Sequence, residues 1–66
     1  MLKIYVDSCG TYSIKIHRDG TASLVCRNSS NNRIDHIKRY KNETGAKIAL
    51  AKYCGSMPKE VRNEGE

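Results

Sequence analysis

The sequence predicts an α+β fold: a three- or four-stranded antiparallel β-sheet packed against one C-terminal α-helix. Three observations carry that expectation. Apolar and polar residues alternate in three short stretches before residue 28, an Asp-Gly turn joins two of those stretches, and a single stripe of helical period follows residue 42. With 66 residues the chain holds one domain, expected over 1–56, and a core that is small and fully used. Phe and Trp are absent, so Tyr5, Tyr12, Tyr40 and Tyr53 supply all the aromatic bulk.

The elements follow in order. Leu2, Ile4 and Val6 alternate with Lys3, Tyr5 and Asp7, the period of a half-buried strand. Asp7 to Gly10 has the composition of a turn. Tyr12, Ile14 and Ile16 mark a second strand and Ala22, Leu24 and Cys26 a third. Between them Gly20 suits a hairpin turn because it takes positive φ without strain. A polar loop spans 28–32. The stretch 33–41 reads either as a fourth strand, with Ile34 and Ile37 facing opposite ways, or as a short helix. The helix start signalled by Asn42 or Thr44 favours the strand. Ala46, Ala49, Leu50 and Tyr53 then form one helical stripe, which leaves Ile48 outside it. Gly55 is placed to end that helix, and Pro58 prevents its resumption. Residues 57–66 read as a flexible acidic tail. The expected core is Leu2, Ile4, Val6, Tyr12, Ile14, Ile16, Leu24, Cys26, Leu50 and Tyr53.

Composition restricts the chemistry. No apolar run approaches the length of a membrane span, and the start of the chain lacks a long apolar segment, so a cytoplasmic protein is expected. Cys9, Cys26 and Cys54 are odd in number and widely spaced, which suits reduced thiols. With His17 and His36 they also lack the close ligand pairs of a structural zinc site, so neither metal nor cofactor is expected. A nucleophile–base pair such as Cys9 with His17 can be drawn, but nothing in the sequence orients that His. The acidic residues Asp7, Asp19, Asp35 and Glu43 sit where turns and element ends use them. An enzyme is not expected.

The charge is concentrated. The formal net charge is +5, and residues 27–52 hold seven Lys and Arg against Asp35 and Glu43. Arg27, Arg33, Lys38, Arg39 and Lys41 fall among Asn, Ser and Tyr, a mixture suited to phosphate contacts. The bland alternative for the same cations is a solvated edge strand, where Lys discourages aggregation. An acidic protein partner would meet them as well.

The segment "GTYSIKIHRDG", followed after an insert by "YKNETGAKIALAKY", resembles the amino-terminal arm-type DNA-binding domain of phage integrases. The resemblance rests on Gly10, Tyr12, Ile14, Ile16, Asp19, Gly20, Tyr40, Thr44, Ala46 and Ala49, and covers about two-thirds of the chain. In that family a three-stranded sheet enters the major groove and a helix backs it. The resemblance implies a DNA-facing side carrying Lys15, His17, Arg18, Ser23 and Arg27. It departs from the family over 28–39, which does not align, and in lacking the family's catalytic domains. The expected function is a small non-enzymatic nucleic-acid-binding accessory protein of phage or mobile-element type, a monomer or weak homodimer, acting on duplex DNA. The alternative is a phage-encoded viral protein that binds and inhibits a host protein.

Overall fold

The computed structural model describes residues 1–64. Five strands and one helix follow each other along the chain: β1 (Leu2–Val6), β2 (Gly10–Ile16), β3 (Ala22–Asn28), β4 (Ile34–Tyr40), α1 (Glu43–Cys54) and β5 (Lys59–Glu64). The strands form one antiparallel sheet in the order β4-β3-β2-β1-β5, and α1 lies across one face. The α+β class and the antiparallel sheet match expectation, but among the described residues the sheet has five strands where three or four were expected. The expected C-terminal position of the helix does not hold either, because β5 follows it. Residues 59–64, expected within a flexible tail, instead pair with β1. Their charged side chains hid the strand, since an edge strand exposed on both faces has no apolar alternation to display.

The hairpin at 17–21 forms as its sequence demands. His17 and Thr21 bond through their backbones at 2.8 Å, and Asp19 Oδ1 accepts from Thr21 N and Oγ1 at 3.0 and 2.6 Å. Gly20 takes φ 90°. At the helix start, the Asn42 side chain accepts from Gly45 N at 2.8 Å, satisfying one of the free amides of the first turn. At the other end Gly55 adopts the left-handed conformation, φ 83°.

The core lies between α1 and the sheet. Tyr5, Tyr12, Ile14, Ala22, Leu24, Cys26, Ala46 and Leu50 are buried, with Ile16, Tyr40, Ala49 and Cys54 packed against them. The expectation for β1 is overturned by one step of the pleat. Tyr5 pairs with Tyr12 and shares its buried face, so Leu2, Ile4 and Val6 turn to the uncovered side. Either set of β1 residues satisfies a period of two; the helix side takes Tyr5 and Lys3, whose ammonium bonds Glu43 of α1. Tyr53, also expected inside, is 47% exposed and packs edge-on against Tyr12 with ring centres 6.3 Å apart. Ile48, off the stripe, is exposed.

Candidate nucleic-acid interface

Among the described residues no helix covers the second face of the sheet, and the strand registers place its side chains. One row across it reads Arg39, Ser23, Lys15, Leu2, Glu64 from β4 to β5. The next reads Ile37, Val25, Ser13, Ile4, Arg62, and a third Ile34, Arg27, Thr11, Val6, Lys59. Two mixed basic rows therefore flank a largely aliphatic one. Over β2, β3 and β4 this face carries Lys15, Arg27 and Arg39 with the hydroxyls of Thr11, Ser13 and Ser23, and no carboxylate.

A β-bulge between Cys26 and Arg27 explains one departure from expectation. It inserts Asp35 as an extra residue, so Ile34 pairs with Arg27 and Ile37 with Val25. Ile34 and Ile37 consequently share the uncovered face instead of facing opposite ways, and are 45% and 66% exposed. Asp35 itself lies with Tyr12, Cys26 and Tyr53 on the other side.

The hairpin end of the face is held by polar contacts. His17 Nε2 and Ser23 Oγ are 2.7 Å apart, which draws the imidazole towards the row of Lys15 and Arg39. The Asp19 carboxyl is held below its ordinary range first by the Thr21 hydroxyl, then by the Thr21 amide, with smaller contributions from the charges of Arg39 and His17. Arg18 is exposed in the turn itself. At the opposite end, Arg27 Nη1 donates to Asn32 O at 3.0 Å and ties down the loop, where Asn32 takes φ 57°.

The sequence-adjacent cations of 37–41 are separated. Lys38 pairs with Leu24 on the helix side and places its Nζ 5.6 Å from the centre of the Tyr40 ring. Arg39 alone of that run stands on the uncovered face. Lys41 lies past the strand in the approach to α1, and Arg33 lies in the loop before β4, both exposed. Lys15, His17, Arg27 and Arg39 are thus brought to one face, with Arg18 at its hairpin end, while Arg33, Lys38 and Lys41 are not part of the same rows. Sequence reasoning missed the aliphatic row. Its only signal was the excess of β-branched residues at positions a one-helix fold cannot cover.

All four tyrosines stand on the helix side of the sheet or on α1. Tyr5 and Tyr12 are buried, Tyr40 packs on the core, and Tyr53 meets Tyr12 and His36. Among the described residues the uncovered face holds no tyrosine, and its only ring is the imidazole of His17 at the hairpin end. Among the described residues no group of three or more His, Cys, Asp or Glu is placed to hold a metal ion, and no helix is long and apolar enough to cross a membrane. No family model matches the chain, and no curated protein or solved structure matches it either.

Proposed function

We propose that the protein binds duplex nucleic acid, most simply double-stranded DNA, through the uncovered face of β2, β3 and β4. The observation that carries this reading is the adjacency of Arg39, Ser23 and Lys15 in one row of a face that has no carboxylate on β2, β3 or β4. Two cations set two strands apart, on β2 and β4, suit phosphates, and the serine of β3 between them adds a neutral donor. The aliphatic side chains of Val25 and Ile37 beside that row suit thymine methyl groups in a major groove. Single strands are usually gripped by stacking their bases on aromatic rings. With every tyrosine on the other side, this face favours a duplex. The reading agrees with the phage or mobile-element type of accessory protein that the integrase resemblance implies, and it involves no catalytic step.

A second reading draws on the aliphatic row. Ile37, 66% exposed between Val25 and the sheet edge, with basic residues around it, also suits an acidic protein partner that brings its own apolar anchor. This is the host-protein inhibitor of the alternative expectation.

Binding to a duplex measured over a salt series distinguishes them. Replacing Lys15 and Arg39 together by Ala should flatten the slope of log affinity against log salt by about 0.9 for each phosphate left without its cation. Replacing Lys38 and Lys41 removes the same charge from elsewhere and should leave the slope nearly unchanged. Equal effects of the two double variants would reject the face, and absence of duplex binding would turn attention to the protein partner.

A further inference from the structure

β5 ends the sheet on the side away from β4, and among the described residues no strand pairs with its outer edge. The backbone donors and acceptors along that edge are open to a further strand. The register with β1 tells where each side chain stands. Lys59 and Glu64 pair with Val6 and Leu2, which are uncovered-face positions. Glu60 and Asn63 pair with Tyr5 and Lys3 on the helix side. In a regular strand positions 59 and 64 would face opposite ways. The bulge that inserts Val61 is what brings them to one face.

A second β5 laid antiparallel about a two-fold axis must set same-face residues opposite each other. This condition, with the bulge, selects among registers. Pairing Lys59 with Asn63, or Glu60 with Glu64, opposes residues of different faces, and the latter also opposes two carboxylates. Pairing Lys59 with Arg62 keeps the faces but sets like charges together. Pairing Lys59 with Glu64 and Glu60 with Asn63 satisfies the faces, opposes unlike charges twice, and sets the bulge residue Val61 of each strand opposite Arg62 of the other.

We infer that the protein self-associates through β5 in this register, joining two sheets edge to edge. Lys59 meets Glu64 of the partner subunit, and the two-fold axis repeats the contact. Within one chain Glu64 is held by Arg62 at 2.6 Å in an exposed pair, which it exchanges for the new contact at little cost. Val61, 56% exposed in the single chain, comes to lie against the stem of Arg62 of the partner subunit. Both helices then lie on one side of the joined sheet, and the two uncovered faces become continuous. The inference stands whether or not that face binds nucleic acid.

Sedimentation equilibrium on Lys59→Glu and Glu64→Lys tests it. The wild type should show a concentration-dependent monomer–dimer equilibrium. Each single variant places like charges at both contacts and should weaken dimerisation by at least ~10-fold. An equimolar mixture of the two variants restores unlike charges at both contacts, so it should dimerise while either variant alone remains monomeric. Thermal melts of each variant establish that both are folded, and Ile37→Lys at the opposite edge should leave the monomer–dimer equilibrium unchanged. A wild type that stays monomeric at millimolar concentration would overturn the proposal. So would a mixture no more associated than its components, or a dimer lost only with Ile37→Lys.

Discussion

Tyr5 and Tyr12 face each other across β1 and β2 and are equally buried, at 2% and 3% exposure, yet only one hydroxyl has a partner. Tyr12 Oη donates to Asp7 Oδ1 at 2.8 Å, whereas Tyr5 Oη makes no hydrogen bond among the described residues. Burial pushes both phenols up, and nearby Glu60 raises Tyr5 further. The two Tyr→Phe variants should therefore differ. Tyr12→Phe should cost about 1 kcal/mol, and Tyr5→Phe should be neutral or stabilising, because it removes a buried hydroxyl that nothing satisfies. Chemical denaturation of both variants checks this, and equal losses would contradict it.

Acid should unfold the domain partly through two carboxylates. Burial pushes Asp7 up, but bonds from the Tyr12 hydroxyl and the Cys9 and Gly10 amides outweigh it and leave the carboxyl below its ordinary range. Glu43 is lowered first by its bond from Lys3 and further by Lys47 at 3.2 Å. A carboxyl depressed on folding contributes stability above its unfolded pKa and loses it as pH falls through the folded one. The melting temperature should thus fall below the ordinary carboxylate range. Asp7→Asn with Glu43→Gln should lower stability at neutral pH and flatten that acid limb.

Two glycines should fail for different reasons. At Gly20 a Cβ would meet nothing within 4 Å, but φ 90° strains any L side chain, so Gly20→Val should cost more than about 1 kcal/mol. At Gly10 a Cβ would overlap the Arg27 carbonyl oxygen, so Gly10→Ala must push β2 from β3. The larger drop in melting temperature is expected at Gly10, and the reverse order would misplace the strain.

The thiols should react in the order of their burial. Cys9, Cys26 and Cys54 are unpaired; burial pushes Cys26 up to about 11 and raises Cys54 as well, while Cys9 is exposed. A thiol reagent near neutral pH should label one group in the folded protein and three after denaturation. Fast labelling of Cys26 in the native state would mean that β3 opens readily.

Truncation after Ser56 should destabilise the domain. It removes the strand paired along the whole of β1 and the buried Pro58. Circular dichroism melts should show a lower transition for the shortened chain. An unchanged melt would mean that β5 contributes no stability.

Much of the fold was legible from local chemistry. Gly20 and Asp19 specify the hairpin, Asn42 and Gly55 specify the limits of the helix, and the alternation of β2 and β3 places Tyr12, Ile14, Leu24 and Cys26 inside. These features depend on residues close in sequence, so a pattern suffices to read them. The candidate face was legible only in part. Lys15, His17 and Arg18 were named through a resemblance and Arg27 through the charge cluster as well, and the run at 37–41 promised a patch that the pleat divides between two faces.

By itself, then, the sequence determined the fold class, the hairpin, the helix with its caps and most of the central core. The tertiary structure alone decided which face of β1 is buried, because Lys3 and Tyr5 alternate as regularly as Leu2, Ile4 and Val6, and only the helix with its bond from Lys3 to Glu43 selects between them. It also decided that the charged residues 59–64 are a strand, since their partner β1 lies more than 50 residues away and edge position leaves no apolar signature. The bulges at Asp35 and Val61 decided which side chains share a face, by adding one residue to a strand whose neighbour does not have it. A side chain's face depends on its pairing, and pairing is made between segments that the sequence keeps apart.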